Sequence, residues 1–448
     1  MGTPTPNEGL HRLYRESGWT LRQFAQEVNR VGTQRGTPLR YREPSVHQWL
    51  KGHLPRADVR PLILEALARR LRRAVTYSEA GFPPASAHGL APSNPSTVEG
   101  ILDLGRRDMD PSRRGVMGAA LFSVALTVPN WPDVVGRMEA AGGGGVQRIG
   151  MPEVNMVIDM TERISDLDDQ FGGRHARPMA AAFLVNTVSP YLRADAPDGV
   201  RRAMLSAASD LLYLTGYMAV DEGLHGLAQN YYLKALELAG AAEDHLTYCT
   251  TLRGMSVQAV DLRHGAKAME LADAAAAASP NAGPRLQAFL SGQQAHAAAQ
   301  IGNRSAALRH IREAEAFMDR AEGRAKALGS YDPASLNYHV SQMRYELGDA
   351  EGAVEAMQRA DRLRPSVYRR TRTHERGTLA ERQFAIGHLE AACTTWHQAL
   401  DDYPMVQSGR ADDRIRAMFR LLRPHLKNGA ARDLHERARL VTPASLLA

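Results

Sequence analysis

Between residues 216 and 399 one spacing recurs five times: a small residue, an alanine twelve positions on, a larger residue four after that, and another alanine three later. The copies are Gly216/Ala228/Tyr232/Ala235, Ser256/Ala268/Ala272/Ala275, Ala295/Ala307/Ile311/Ala314, Ser341/Ala353/Met357/Ala360 and Ala380/Ala392/Trp396/Ala399. Small residues twelve apart let two antiparallel helices approach closely, and the last alanine of each set lets the next pair stack on top. The pattern predicts a helical solenoid, an architecture that builds a concave binding surface and offers no ready-made catalytic cleft.

The intervals between the first alanines of successive copies are 40, 39, 46 and 39 residues, the longest containing a turn at Gly329 to Pro333. Turn glycines stand five before the alanine in four copies, at Gly223, Gly302, Gly348 and Gly387. The second copy has Gly265 three before Ala268, which predicts a shorter turn there. Residues 153 to 193 read as a flanking pair broken at Gly172-Gly173, and Ile415 to Leu440 as a sixth, imperfect pair turning at Asn428-Gly429. No strand-length alternation survives anywhere, so the fold is expected to be all-α.

Ahead of the repeats, Thr20 is placed to cap a helix that buries Leu21, Phe24, Ala25 and Val28. Pro44 to Gly52 predicts a second helix, with proline in its first turn, Val46, Trp49 and Leu50 buried, and a terminal glycine cap. Ser45, His47, Gln48 and Lys51 are left facing outward. Ala57 to Leu71 supplies a third helix through Leu62, Ile63, Ala66 and Leu67. Pro83-Pro84 and the Ser, Pro, Gly and Asn that follow end helical patterning. Residues 97 to 150 read as a transition zone with a short apolar helix, Val116 to Val128, and a mobile loop at Gly142 to Gly145. The expected domains are therefore 1–82, a linker over 83–150, and the solenoid over 151–448.

Charge sharpens this division. Residues 1–82 carry 14 Lys and Arg against 7 Asp and Glu, a net of +7, whereas the whole chain nets +6 and the remainder therefore −1. A basic excess confined to one small domain is the footprint of a phosphate-binding module. The 23% charged and 44% hydrophobic content fits a soluble protein. The thirteen-residue apolar run is too short to cross a bilayer, and Ser112-Arg113-Arg114 before it lies too far inside the chain for an export signal. Two distant cysteines, Cys249 and Cys393, give no disulfide framework and are read as buried hydrophobes in a reducing, cytoplasmic setting without membrane attachment.

The repeats resemble tetratricopeptide repeats, with a small residue on helix A and two alanines on helix B, although the period here exceeds that family's 34 residues. Ala25, Ser45-Val46, Trp49, Gly52 and Pro55 resemble the helix-turn-helix of lambda-repressor-type regulators, and the connection Arg30 to Glu43 is longer than that family's turn. Together the modules look similar to actinobacterial-type regulators. The resemblance implies a transcriptional regulator that binds double-stranded DNA as a homodimer. In it Ser45, His47, Gln48 and Lys51 enter the major groove, Gln48 suited to adenine and Arg42 to guanine. Thr20, Arg22 and Arg40 then join the phosphate contacts; the alternative, opened by the longer connection, is that Arg35, Arg40 and Arg42 form a wing-like phosphate or minor-groove contact instead.

Helix A positions five and nine should face the groove: Tyr213 and Tyr217, Arg253 and Val257, Gly292 and His296, Tyr338 and Gln342, Gly377 and Glu381. Of these, Tyr213, Tyr217, Arg253, His296, Tyr338 and Gln342 suit a peptide or polar small-molecule effector. Asp166, Asp168 and Asp169 are read as an acidic helix end, since no further ligand stands at metal spacing. No zincin motif, phosphate loop or nucleophile elbow appears, so neither metal, cofactor nor catalysis is expected. The competing expectation is an adaptor that binds a protein partner in its groove, with only weak non-specific DNA affinity.

Overall fold

The computed structural model describes residues 6–34, 39–56, 59–71, 75, 79–82, 97–109, 131, 148–278, 282–321 and 331–447. The 83–96 linker, the Val116–Val128 run, the Gly142–Gly145 loop, Arg35 and Gly329 lie outside them. The described elements are helices, with one isolated bridge between Arg148 and Asp195.

Four helices make the N-terminal domain: α1 (Glu8–Ser17), α2 (Leu21–Gln34), α3 (Glu43–Leu50) and α4 (Arg60–Leu71). They enclose a core in which Leu10, Phe24, Val28, Val46, Ile63 and Leu67 are fully buried. Thr20 caps α2 as expected: Gln23 N donates to Thr20 Oγ1 at 3.2 Å while Thr20 N donates to Gln23 Oε1 at 2.9 Å, a reciprocal capping box. Helix α2 runs past the expected break at Arg30 because Val31 is also buried, which shortens the connection to α3. The rest of that connection is tied back by Asn29, whose side chain accepts from Tyr41 N at 2.9 Å and donates to Tyr41 O at 2.8 Å. Gly52, at φ 97°, ends α3 with a paired glycine cap, Gly52 N to Trp49 O and His53 N to Gln48 O. Residues 79–82 return to α1, where a Cβ on Gly9 would lie 2.5 Å from Glu79 O.

The solenoid begins with α5 (Thr97–Met109), whose Val98, Ile101 and Leu104 join the same core as the repeats. This helix therefore belongs to the solenoid, although it lies within the zone read as linker. Gly105 sets its closeness, since a Cβ there would meet Val185 Cγ2 at 2.6 Å. Arg177, 2% exposed, fastens it by pairing with Asp108, whose other oxygen accepts from Tyr231 Oη at 2.8 Å.

Seven antiparallel pairs follow among the described residues. The first is α6 (Met151–Phe171) with α7 (Gly173–Phe183), which runs on through a π-helical turn, Leu184–Val188, into α8 (Ser189–Arg193). Next come α9 (Asp198–Asp221) with α10 (His225–Ala241), α11 (His245–Asp261) with α12 (Gly265–Ala277), and α13 (Pro284–Gln300) with α14 (Arg304–Asp319). The last three are α15 (Pro333–Glu346) with α16 (Ala350–Leu363), α17 (Arg369–Ala385) with α18 (Leu389–Asp402), and α19 (Gly409–Leu422) with α20 (Gly429–Val441). Helix α9 is 24 residues long and apolar, yet most of it is buried by its neighbours.

The recurring spacing has a physical basis in these pairs. A Cβ on Gly216 would lie 2.8 Å from the Tyr232 ring, so the helices meet where only a small residue fits. In the second and fourth copies the small residue is serine and bonds across the twelve-residue gap, Ser256 Oγ to Ala268 O at 2.7 Å and Ser341 Oγ to Ala353 O at 2.5 Å. The repeat alanines are at most 1% exposed, and both cysteines are buried.

The four turn glycines all have positive φ, from 76° to 86°. The second copy departs from expectation: its turn is as long as the others, and Arg263 occupies the left-handed position at φ 64°. Gly265 serves packing instead, because a Cβ there would lie 2.8 Å from Ile301 Cγ2.

Candidate functional site

In the N-terminal domain, Thr20, Arg22, Arg40, Arg42, His47, Gln48 and Lys51 are exposed and Ser45 is half-buried. Arg42 takes the extended N-cap position of α3 at φ −130° without a side-chain cap bond, and the first turn is satisfied by Pro44, which has no N–H, and by Ser45 N donating to Arg42 O at 3.0 Å. Trp49, 6% exposed, anchors α3 from beneath and meets Tyr41 edge-on at 5.0 Å. Thr20 has its hydroxyl engaged in the capping box.

The second site arises because the solenoid curls back on itself, and the expected open groove is a cavity of about 470 Å³. Gln407 N donates to Phe171 O at 2.6 Å and Arg174 N donates to Gln407 O at 3.1 Å, joining the first pair to the segment before the last. The approach requires glycine: a Cβ on Gly172 would lie 2.5 Å from Gln407 O, and one on Gly409 2.9 Å from Asp221 O. Helices α6 and α17 also touch, through Arg370, whose guanidinium lies 3.1 Å from Asp168, 3.0 Å from Asp169 and 3.9 Å from Asp221. Arg410 pairs with Asp261. The acidic end of α6 is thus a closing surface, and no cluster with metal-ligand character occurs among the described residues.

The first helix of every pair contributes to the lining, α19 through Arg410 and the others by residues three or four apart, since that spacing keeps side chains on one helical face. Tyr213, Tyr217, Arg253, His296 and Tyr338, expected in a groove, meet in this one cavity together with Val257. Gln342 is turned elsewhere: its Oε1, with Ser341 Oγ, accepts from the buried guanidinium of Arg382. Gly292 lies directly under His339 and Tyr331. Glu381 is taken up by Arg414 at 3.0 Å, and a Cβ on Gly377 would meet that same arginine at 2.6 Å.

Phe289, Tyr331, His339, Arg370 and His374 also line the cavity, and no sequence signal singles them out. Position counting inside a helix cannot register Tyr331, which precedes α15, and the others need the curl of the solenoid to converge. Tyr331 Oη and His339 Nδ1 share a hydrogen bond of 2.7 Å. Burial lowers His296 to about 3 and drives His339 and His374 well below the usual imidazole range, reinforced by nearby arginines, so all three are neutral. Burial raises Asp168 to about 7 against the pull of Arg370, and raises Tyr338 to about 12.

A family model of the SP15 N-terminal domain matches residues 10–83. That stretch spans the four helices and the returning segment that closes on α1, a minor part of the chain. No curated protein matches the sequence.

Proposed function

We propose that this chain is a sequence-specific DNA-binding transcriptional regulator, with the four-helix domain as a helix-turn-helix reader and the tetratricopeptide-like solenoid as its sensing arm. One observation carries the reading. Helix α3 is anchored by Val46 and Trp49 while His47, Gln48 and Lys51 face solvent beside Arg40 and Arg42, all within the domain that holds the basic excess. On this reading the arginines grip phosphates, and Ser45, His47 and Gln48 reach base edges.

The cavity supplies the regulatory half, since its size and mixed aromatic and charged lining suit a small effector. A homodimer bound to a two-fold site in the cytoplasm would then change the spacing of its two readers as effector binding shifts the solenoid population. The second reading is an adaptor that docks a protein partner and touches DNA only through charge.

Selection of the full-length chain against random duplexes, followed by salt titration, separates the two. The regulator reading expects an enriched sequence and a steep fall of log affinity with log salt. Equal affinity for selected and random duplexes refutes it and favours the adaptor.

A further inference from the structure

Resting on the reading of the solenoid as an effector arm, we propose that its cavity takes a small monocarboxylate with an aromatic or apolar body, the carboxylate seated on Arg253. Arg253 lies on α11, lines the cavity and is 9% exposed. The other cavity arginines, Arg364, Arg370 and Arg410, each hold a carboxylate of the chain. No such partner pairs with Arg253 among the described residues, and its Nε has no hydrogen-bond partner. Its neighbours are the Phe289 ring, 3.7 Å from the guanidinium, and the Tyr213 phenol, whose ordinary ionisation is further suppressed by burial.

A guanidinium does not lose its proton inside a protein, and a buried charge without a counter-charge is strongly unfavourable. Stacking on one phenyl ring does not replace an anion. The surroundings leave the charge uncompensated: His296 and His339 are neutral, and Gln293, which donates to Ser256 Oγ at 2.9 Å, keeps its Oε1 without a partner. The one guanidinium of the lining that holds no carboxylate matches one negative charge. A dianion would be repelled by the rest of the lining, where Asp168, Asp169, Asp221, Asp261, Asp332 and Glu375 share only Arg364, Arg370 and Arg410, and Glu162 and Asp166 are exposed. The flanking surface from Leu214, Val257, Val260 and Phe289 receives an apolar body, and about 470 Å³ suits a small molecule better than an extended peptide.

The test uses the full-length chain with phenylacetate, 4-hydroxyphenylacetate and indole-3-acetate as probes, against their neutral amides and inorganic phosphate. Millimolar carboxylates should raise the melting temperature, with amides and phosphate roughly tenfold weaker or silent. Arg253→Met should remove the response and, by deleting an uncompensated charge, melt at or above the ligand-free wild type. Arg253→Lys should bind with reduced affinity, keeping the charge without the planar fork. A lower melting temperature or failure to fold for Arg253→Met marks the guanidinium as structural and overturns the proposal. So does equal binding by amides or phosphate, or silence of the carboxylates on wild type. DNA selectivity is measured without probes, so loss of this site leaves the regulator reading standing, and loss of DNA selectivity leaves the site.

Discussion

Ser408 donates its hydroxyl to Asp221 at 2.8 Å across 187 residues of chain. The other Asp221 oxygen accepts from Gly173 N at 3.2 Å, and Arg370 stands 3.9 Å away. One carboxylate, 1% exposed, thereby ties the first solenoid pair, the end of α9 and the start of α19 together.

Replacing it with Asp221→Ala leaves a hydroxyl, a backbone N–H and part of an arginine's charge without their acceptor. We expect a loss of about 3 to 5 kcal/mol in urea denaturation, the range for breaking a buried pair. Small-angle scattering should show a larger radius of gyration if the closure rests on this clasp; an unchanged radius would assign closure to the Gln407 backbone bonds and the pairs of Arg370 with Asp168 and Asp169.

The second repeat offers an inverted glycine test. Arg263 holds a left-handed conformation that disfavours a side chain, so Arg263→Gly should gain up to about 1 kcal/mol. Its exposed pair with Glu346 subtracts little from this. Gly348→Ala, where a Cβ would meet nothing within 4 Å, should lose about 1 kcal/mol from the same backbone cause. Denaturant midpoints measure both, and equal signs would contradict the shared turn geometry.

Buried histidines make the stability of the solenoid depend on pH. His296 and His225 have folded values lowered by burial to about 3 and about 4, and burial holds His339 and His374 well below the usual imidazole range, against about 6.5 in an unfolded chain. Below about pH 6.5 the unfolded state therefore binds more protons, and stability is lost as pH falls, by about 1.4 kcal/mol per unit for each histidine. Acids raised by burial act in the opposite sense as pH falls: Asp168, at about 7, Asp210, at about 6, and Asp169, Glu375 and Glu381. His296→Gln isolates the imidazole contribution: its urea midpoint should gain on that of wild type from pH 7 to pH 5, and a constant difference would contradict a neutral imidazole at 296.

Within the reader, Gln48→Ala should weaken the selected DNA by about 1 to 3 kcal/mol with little effect on random duplex. Equal loss on both would assign Gln48 to phosphate or structure. Trp49→Ala should instead destabilise the domain by about 3 to 5 kcal/mol through the opened core, read by melting of the full chain.

Residues whose role is set by local geometry are legible in the chain itself. Ala228, Ala353 and their equivalents recur because every pair has the same contact, and Gly302 or Gly387 marks a turn because only glycine reaches that backbone region freely. The same logic misses Arg263, since arginine carries no left-handed signal, and it ends α2 early because Val31 lies beyond the stretch read as its apolar face. Tyr213, Arg253 and His296 can be placed on an inner surface by counting, but counting cannot say that Gln342 turns away toward Arg382.

The sequence by itself determined the all-α solenoid, its repeat contacts and the basic domain with an exposed α3, because these follow from periodicity, capping and charge within tens of residues. Only the tertiary structure decided that the groove closes, that Asp168, Asp221 and Arg370 join its ends, and that none of the described carboxylates pairs with Arg253. Those outcomes depend on the rotation accumulated over seven pairs, which brings together residues as far apart as Arg174 and Asp412 with no spacing rule to announce them.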